Sequence, residues 1–79
     1  MMNKITTGIY RHYKGNLYQV LDVATHSETT EKLVVYRALY GEYGVWVRPV
    51  AMFCEMVQVG GVATPRFTRI KELSCPPKP

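Results

Sequence analysis

Three groups of side chains in this chain are of types that do chemistry. The first is the run His26-Ser27-Glu28-Thr29-Thr30-Glu31-Lys32, the most polar segment of the 79 residues. An imidazole and two carboxylates this close together can ligate a divalent cation or serve as acid and base. The same run also reads as a solvated connection, its Ser27 hydroxyl capping a helical turn over Glu28 to Glu31. Ser27 beside His26 makes no nucleophilic triad, because adjacent side chains rarely aim at one another and no orienting carboxylate follows. We read no catalytic residue and no metal set into the chain. It also carries no cofactor motif: neither a phosphate-binding loop nor a dinucleotide fingerprint is present.

The second group is Arg37 and Arg48, each set inside an apolar stretch. A guanidinium there must be paired or reach solvent. One reading is a structural ion network of Arg37 with Glu31, Glu55 and Arg66, and with Glu28 as a further candidate partner. The other is an anion clamp, since Arg offers a planar fork to carboxylate or phosphate. The third group is aromatic: Tyr36, Tyr40 and the lone Trp46, with Tyr10, Tyr13, Tyr18 and Tyr43 near them in sequence. Such rings build a core, or present flat faces to peptides, methylated amines or unstacked bases.

The elements that must position these groups are short strands. Leu33 to Tyr40 and Val45 to Pro49 are rich in β-branched and aromatic residues. Gly41-Glu42-Tyr43-Gly44 closes them into a hairpin, its glycines taking positive φ. Gly8 to Tyr13 is a first strand, turned by Lys14-Gly15-Asn16 into a second over Leu17 to Thr25. Gln19 interrupts one face of that second strand and Asp22 the other, so a bulge or strong bend is expected. Pro49 to Phe53 reads as a tight turn. Glu55 to Val59 and Val62 to Ile70 read as a hairpin about Gly60-Gly61, kinked at Pro65. Met1 to Thr7 reads as a frayed lead, and Ser74 to Pro79 as an extended tail.

Composition bounds what this can be. Hydrophobic residues make up 47% and the formal charge is +4, with the cations spread along the chain. That excludes a disordered chain and falls short of the basic stripe of a dedicated nucleic-acid binder. No apolar run approaches the roughly 20 residues that span a bilayer, and the lead has no apolar secretion core. The two cysteines, Cys54 and Cys75, lack metal-ligand spacing and suit a reducing compartment. We expect a cytoplasmic protein with no membrane contact.

Five or six short strands with little helix describe a small all-β, antiparallel SH3-like barrel or roll, with an OB-like barrel as the alternative. We place its single domain at residues 8–71, with flexible termini at 1–7 and 72–79. The motifs Y-x-H-Y-K-G-N, H-S-E-T, V-V-Y-R-x-L-Y-G, W-V-R-P-x-x-M-F and P-R-F stand in order between Tyr10 and Phe67. In this the chain resembles the bacterial family of domains of unknown function DUF1653. The resemblance covers Tyr10 to Ile70. It implies an SH3-type barrel and no activity, substrate or cofactor.

The expected function is a small binding module that docks a peptide or protein partner through an aromatic and polar surface. Nucleic-acid binding by the same rings with Arg37, Arg48 and Arg66 is the alternative. A metal or small-ligand protein using the His26–Glu31 loop is the second. By analogy with SH3-like barrels, the ligand site is expected to have His26 and Glu28 as its wall, Tyr36 and Trp46 as its floor, and Arg48 at the rim.

Overall fold

Alternation of side chains along the third strand sets the architecture. In the computed structural model, which describes residues 5–72, Val34, Tyr36 and Ala38 are buried while their neighbours in sequence are not. One face of this strand therefore builds the core. The described elements are β1 (Gly8–His12), β2 (Leu17–Thr25), β3 (Lys32–Ala38), β4 (Val45–Pro49), α1 (Val50–Phe53), β5 (Met56–Val59), β6 (Val62–Pro65) and β7 (Phe67–Glu72). Five strands form one antiparallel sheet in the order β4-β3-β2-β1-β7, and β5 pairs only with β6. The fold is all-β apart from one helical turn. No described helix is long and apolar enough to cross a membrane.

β3 and β4 pair through the Gly41–Gly44 loop, with Tyr36 opposite Trp46 and Val34 opposite Arg48. The left-handed positions of that loop are Gly41 (φ 60°) and Tyr43 (φ 59°), not Gly44. The expected bulge falls in β2, where the register with β3 shifts between Val20 and Asp22. There the Asp22 carboxylate accepts the N–H of Val23 at 2.7 Å, which explains a carboxylate in mid-strand.

Val62 to Ile70 is not one strand. It divides at Pro65-Arg66, so that β6 closes a hairpin with β5 while β7 crosses to pair with β1. This raises the strand number to seven and brings His12 opposite Phe67. The turn expected at Pro49 to Phe53 is wound into α1, which carries Phe53 into the core. The core comprises Tyr10, Val20, Val34, Tyr36, Phe53 and Phe67, with Ile5, Tyr18 and Val50 packed against it. Val20, Val34 and Phe53 are almost wholly buried. Each such side chain contributes about 1.5–3 kcal/mol.

Ile5 and Thr6 belong to this body. Ile5 packs on the core, and the Tyr10 hydroxyl donates to the Thr6 carbonyl at 2.9 Å. The remainder of the expected N-terminal lead, the Pro-rich tail and Cys75 lie outside the described residues.

Candidate functional site

The rings of the inner face meet at Phe67. Its ring stacks on Phe53 with centroids 4.1 Å apart and planes 3° from parallel. His12, Tyr18 and Tyr36 approach it edge-on at 4.9, 5.6 and 5.8 Å. Edge-to-face contact suits aromatic quadrupoles, so Phe53, Phe67 and Tyr36 pack as core while His12 and Tyr18 at its margin are half-buried. Tyr18 continues it outward to Tyr40: the rings lie 5.5 Å apart and the hydroxyls 2.6 Å apart.

Polar groups ring this floor. Arg48 enters from β4, its guanidinium 5.9 Å from the Phe67 centroid and its Nε donating weakly to the Tyr36 hydroxyl at 3.4 Å. Among the described residues Arg48 forms no ion pair. Arg66, in contrast, binds Glu55 at 2.9 Å, its side chain 22% exposed against 52% for the carboxylate. The Nε of Arg66 is buried, with no hydrogen-bond partner among the described residues. His12 accepts the Lys14 backbone N–H at Nδ1, at 3.1 Å. The neutral ring therefore carries its proton on Nε2.

The electrostatics follow from this crowding of cations. Burial first, then the charges of Arg66, Arg48 and Lys14, pushes the His12 pKa below its ordinary value. Burial, the hydrogen bond with Tyr40 and the neighbouring phenols push the Tyr18 pKa up to about 12, with Arg48 opposing. Burial pushes the pKa of the Cys54 thiol above its ordinary value.

The expected site residues divide into those the sheet gathers and those it does not. Tyr36, Trp46 and Arg48 share the inner face of β3 and β4, as their register requires. Tyr36 is only 5% exposed, so it offers little more than its hydroxyl. Trp46 is 59% exposed and enters none of the ring contacts among the described residues.

His26 and Glu28 are not a wall beside these rings. They sit beyond the Thr25–Lys32 pair, where strand rise places Lys32 about 13 Å past Tyr36. His26 is occupied in its own loop: its Nδ1 accepts the N–H of Glu28 at 3.1 Å and that of Thr29 at 3.4 Å. The imidazole, not Ser27, caps this turn. Among the described residues no group of three or more His, Cys, Asp or Glu is placed to hold a metal ion.

Among the described residues the expected ion network contracts to one pair, Arg66 with Glu55. Arg37 pairs in register with Val45 and Arg48 with Val34, so the two arginines occupy opposite faces of the sheet. The Arg37 Nη1 instead donates to the Tyr43 carbonyl at 2.7 Å, holding the β3–β4 loop. Glu31 is tied through its backbone to His26 and to the Thr29 hydroxyl.

Phe67 and His12 are not among the site residues expected from sequence, and Tyr18 and Tyr40 are named there only within the aromatic group. Phe67 stood in P-R-F and His12 in Y-x-H-Y-K-G-N, so both were visible as motif positions. What was lacking was the pairing of β1 with β7 that joins them.

Comparison with known proteins agrees with this architecture. Residues 8–69 match the model of a family described as "Protein of unknown function (DUF1653)". The chain is 35% identical to a protein of that family from Bordetella bronchiseptica whose crystal structure is known. The two superpose with a TM-score of 0.82 over 96% of this chain and 100% of the other. No curated protein matches the chain.

Proposed function

Because the chain belongs to the DUF1653 family, whose description carries no activity, we propose from its own geometry that it is a binding module. It docks an extended segment of a protein or peptide partner along β4, across Trp46 and Arg48. The observation that carries this reading is the exposed indole of Trp46 on a strand that forms one edge of the sheet.

An edge strand holds one row of backbone groups unpaired, and an extended chain can add to it. The other edge, β7, carries Arg69 and Lys71, charges that discourage such pairing. β4 instead exposes Val45, Trp46 and Val47 in succession, on both faces of the strand. Trp and Arg are the residues that most often anchor an interface. In this reading the fold is an SH3-like barrel, a type that uses aromatic faces to dock extended peptides.

The test exploits Trp46 as the only tryptophan of the chain. Peptides selected from a displayed random library are titrated against the protein while its emission is followed. Covering a half-exposed indole shifts that emission to the blue, and Trp46→Ala should abolish binding while circular dichroism stays unchanged. Selected peptides that leave the emission unmoved and bind Trp46→Ala equally well would overturn the proposal. Binding only to oligonucleotides, with affinity falling steeply in salt, would favour nucleic acid instead.

A further inference from the structure

The hydrogen-bonding inventory around Phe67 is one-sided. Arg48 supplies a guanidinium whose only described partners are the Tyr36 hydroxyl and the Phe67 ring. By accepting from Arg48, the Tyr36 hydroxyl leaves its own proton free to donate. In the Tyr18–Tyr40 pair one hydroxyl must accept, and that one likewise keeps a proton to offer. His12 uses Nδ1 for the Lys14 N–H and so offers Nε2–H. The carboxylate of this neighbourhood, Glu55, is taken by Arg66. These donors belong to side chains grouped about Phe67, and among the described residues no carboxylate pairs with Arg48.

We propose that Arg48, with the Tyr36 hydroxyl and His12 beside it, is the receptor for a carboxylate of the docked peptide, an acidic side chain. The assignment rests on the docking reading above and names the group recognised there. Its charge count favours an anion: Arg66 and Glu55 cancel, while Arg48, and Lys14 at the turn beside His12, leave a positive surplus. A guanidinium fork and a phenol match a carboxylate's two oxygens. A nucleic-acid strand asks for a track of cations along its phosphates, whereas among the described residues the cations acting on His12 are Arg48, Lys14 and the paired Arg66, with no track.

The arrangement has a built-in reporter. His12 faces Lys14 and Tyr13 at its own turn, Tyr18 on β2, Arg48 on β4, and Arg66 with Phe67 at the start of β7. Its charged form is disfavoured by those cations. A carboxylate arriving at Arg48 offsets them, so binding must raise the His12 pKa, and by linkage must strengthen as pH falls. His26 lies in the β2–β3 loop, away from these groups, and is an internal control.

The experiment is an NMR titration of both histidine rings in the intact chain. The probe is a blocked pentapeptide with a glutamate among glycines, compared with its glutamine twin and with a short single-stranded oligonucleotide. The expected result is saturable shifts at His12 with its pKa raised, His26 unmoved, and about tenfold weaker binding of the glutamine twin. Arg48→Met should lose the effect and Arg48→Lys should retain part of it, with both variants folded. If the two histidines respond alike, or Arg48→Met binds as the parent does, the assignment falls. If the glutamate peptide is inert while uncharged selected peptides still shift Trp46 emission, the carboxylate receptor is overturned and the docking reading stands. If only the oligonucleotide moves His12, both are overturned.

Discussion

Replacing Phe67 by leucine tests whether one ring holds both the core and the proposed site. Leucine keeps most of the apolar volume but removes a ring stacked on Phe53 and met edge-on by His12, Tyr18 and Tyr36. Aromatic pairs contribute about 0.5–1.5 kcal/mol each beyond area burial. The four contacts do not simply add, because the neighbouring rings repack on leucine. An expected cost of about 1–2.5 kcal/mol follows, against about 3–5 kcal/mol for Phe67→Ala. A chain of 79 residues has about 4–12 kcal/mol of total stability, so the alanine variant should lose at least about a quarter of it. The assay is urea unfolding followed by far-ultraviolet circular dichroism. Trp46 emission is a poor probe, because an indole already exposed changes little on unfolding. A leucine variant within about 0.5 kcal/mol of the parent, the usual range of a surface substitution, refutes the central place given to this ring.

Four further outcomes are expected. Thr30 is β-branched yet sits at φ 60°, so Thr30→Gly should raise stability by about 0.5–1 kcal/mol in thermal melts, while Thr30→Ala should not. Arg66→Met and Glu55→Gln should each cost less than about 1 kcal/mol, the pair being partly exposed, and hydrogen exchange should quicken in β5 and β6 before β2 and β3. Because the folded-state pKa of His12 lies below its ordinary 6.5, the stability it contributes is present above that value. It is lost as pH falls from there through the folded pKa, and His12→Phe should flatten this slope in urea titrations. Tyr18 is the opposite case: with a folded pKa of about 12 against 10.0, its contribution is present below 10.0 and lost as pH rises towards 12. Tyr40→Phe removes one of its causes and should bring the phenolate absorbance of Tyr18 in at lower pH.

The parts of the fold legible in the sequence are those set by local chemistry. β-branched and aromatic residues around a glycine loop gave β3 and β4. Gly60 and Gly61 gave the β5–β6 turn, and both adopt positive φ. Gln19 and Asp22 on opposite faces of β2 signalled its bulge, because a strict period of two cannot place both outward. Thr30 and Tyr43 were not legible, since left-handed backbone is ordinarily left to glycine or asparagine and here tertiary context overrides that preference. Nor was the division of Val62 to Ile70. Pro65 marked a kink, but only the partner strand decides whether a chain continues along its neighbour or leaves for another sheet.

That division also determines where recognition can be built. Once β7 leaves β6 and pairs with β1, Phe67 comes opposite His12 and beneath Arg48, and residues from opposite ends of the chain form one surface. The loops that looked most functional in sequence turn instead to their own closure: His26 caps one, and Arg37 braces the other. A site on a sheet face is held by the ladder and by packed rings, so its donors are positioned before a ligand arrives and little ordering is left to oppose binding. The same construction couples recognition to stability. Under the proposed reading, a carboxylate ligand held by Arg48 and His12 binds only the closed sheet, and at a hundred times its dissociation constant it adds about 2.7 kcal/mol to folding. Substitutions in the two loops should therefore change stability alone, whereas those beneath the inner face should change stability and affinity together.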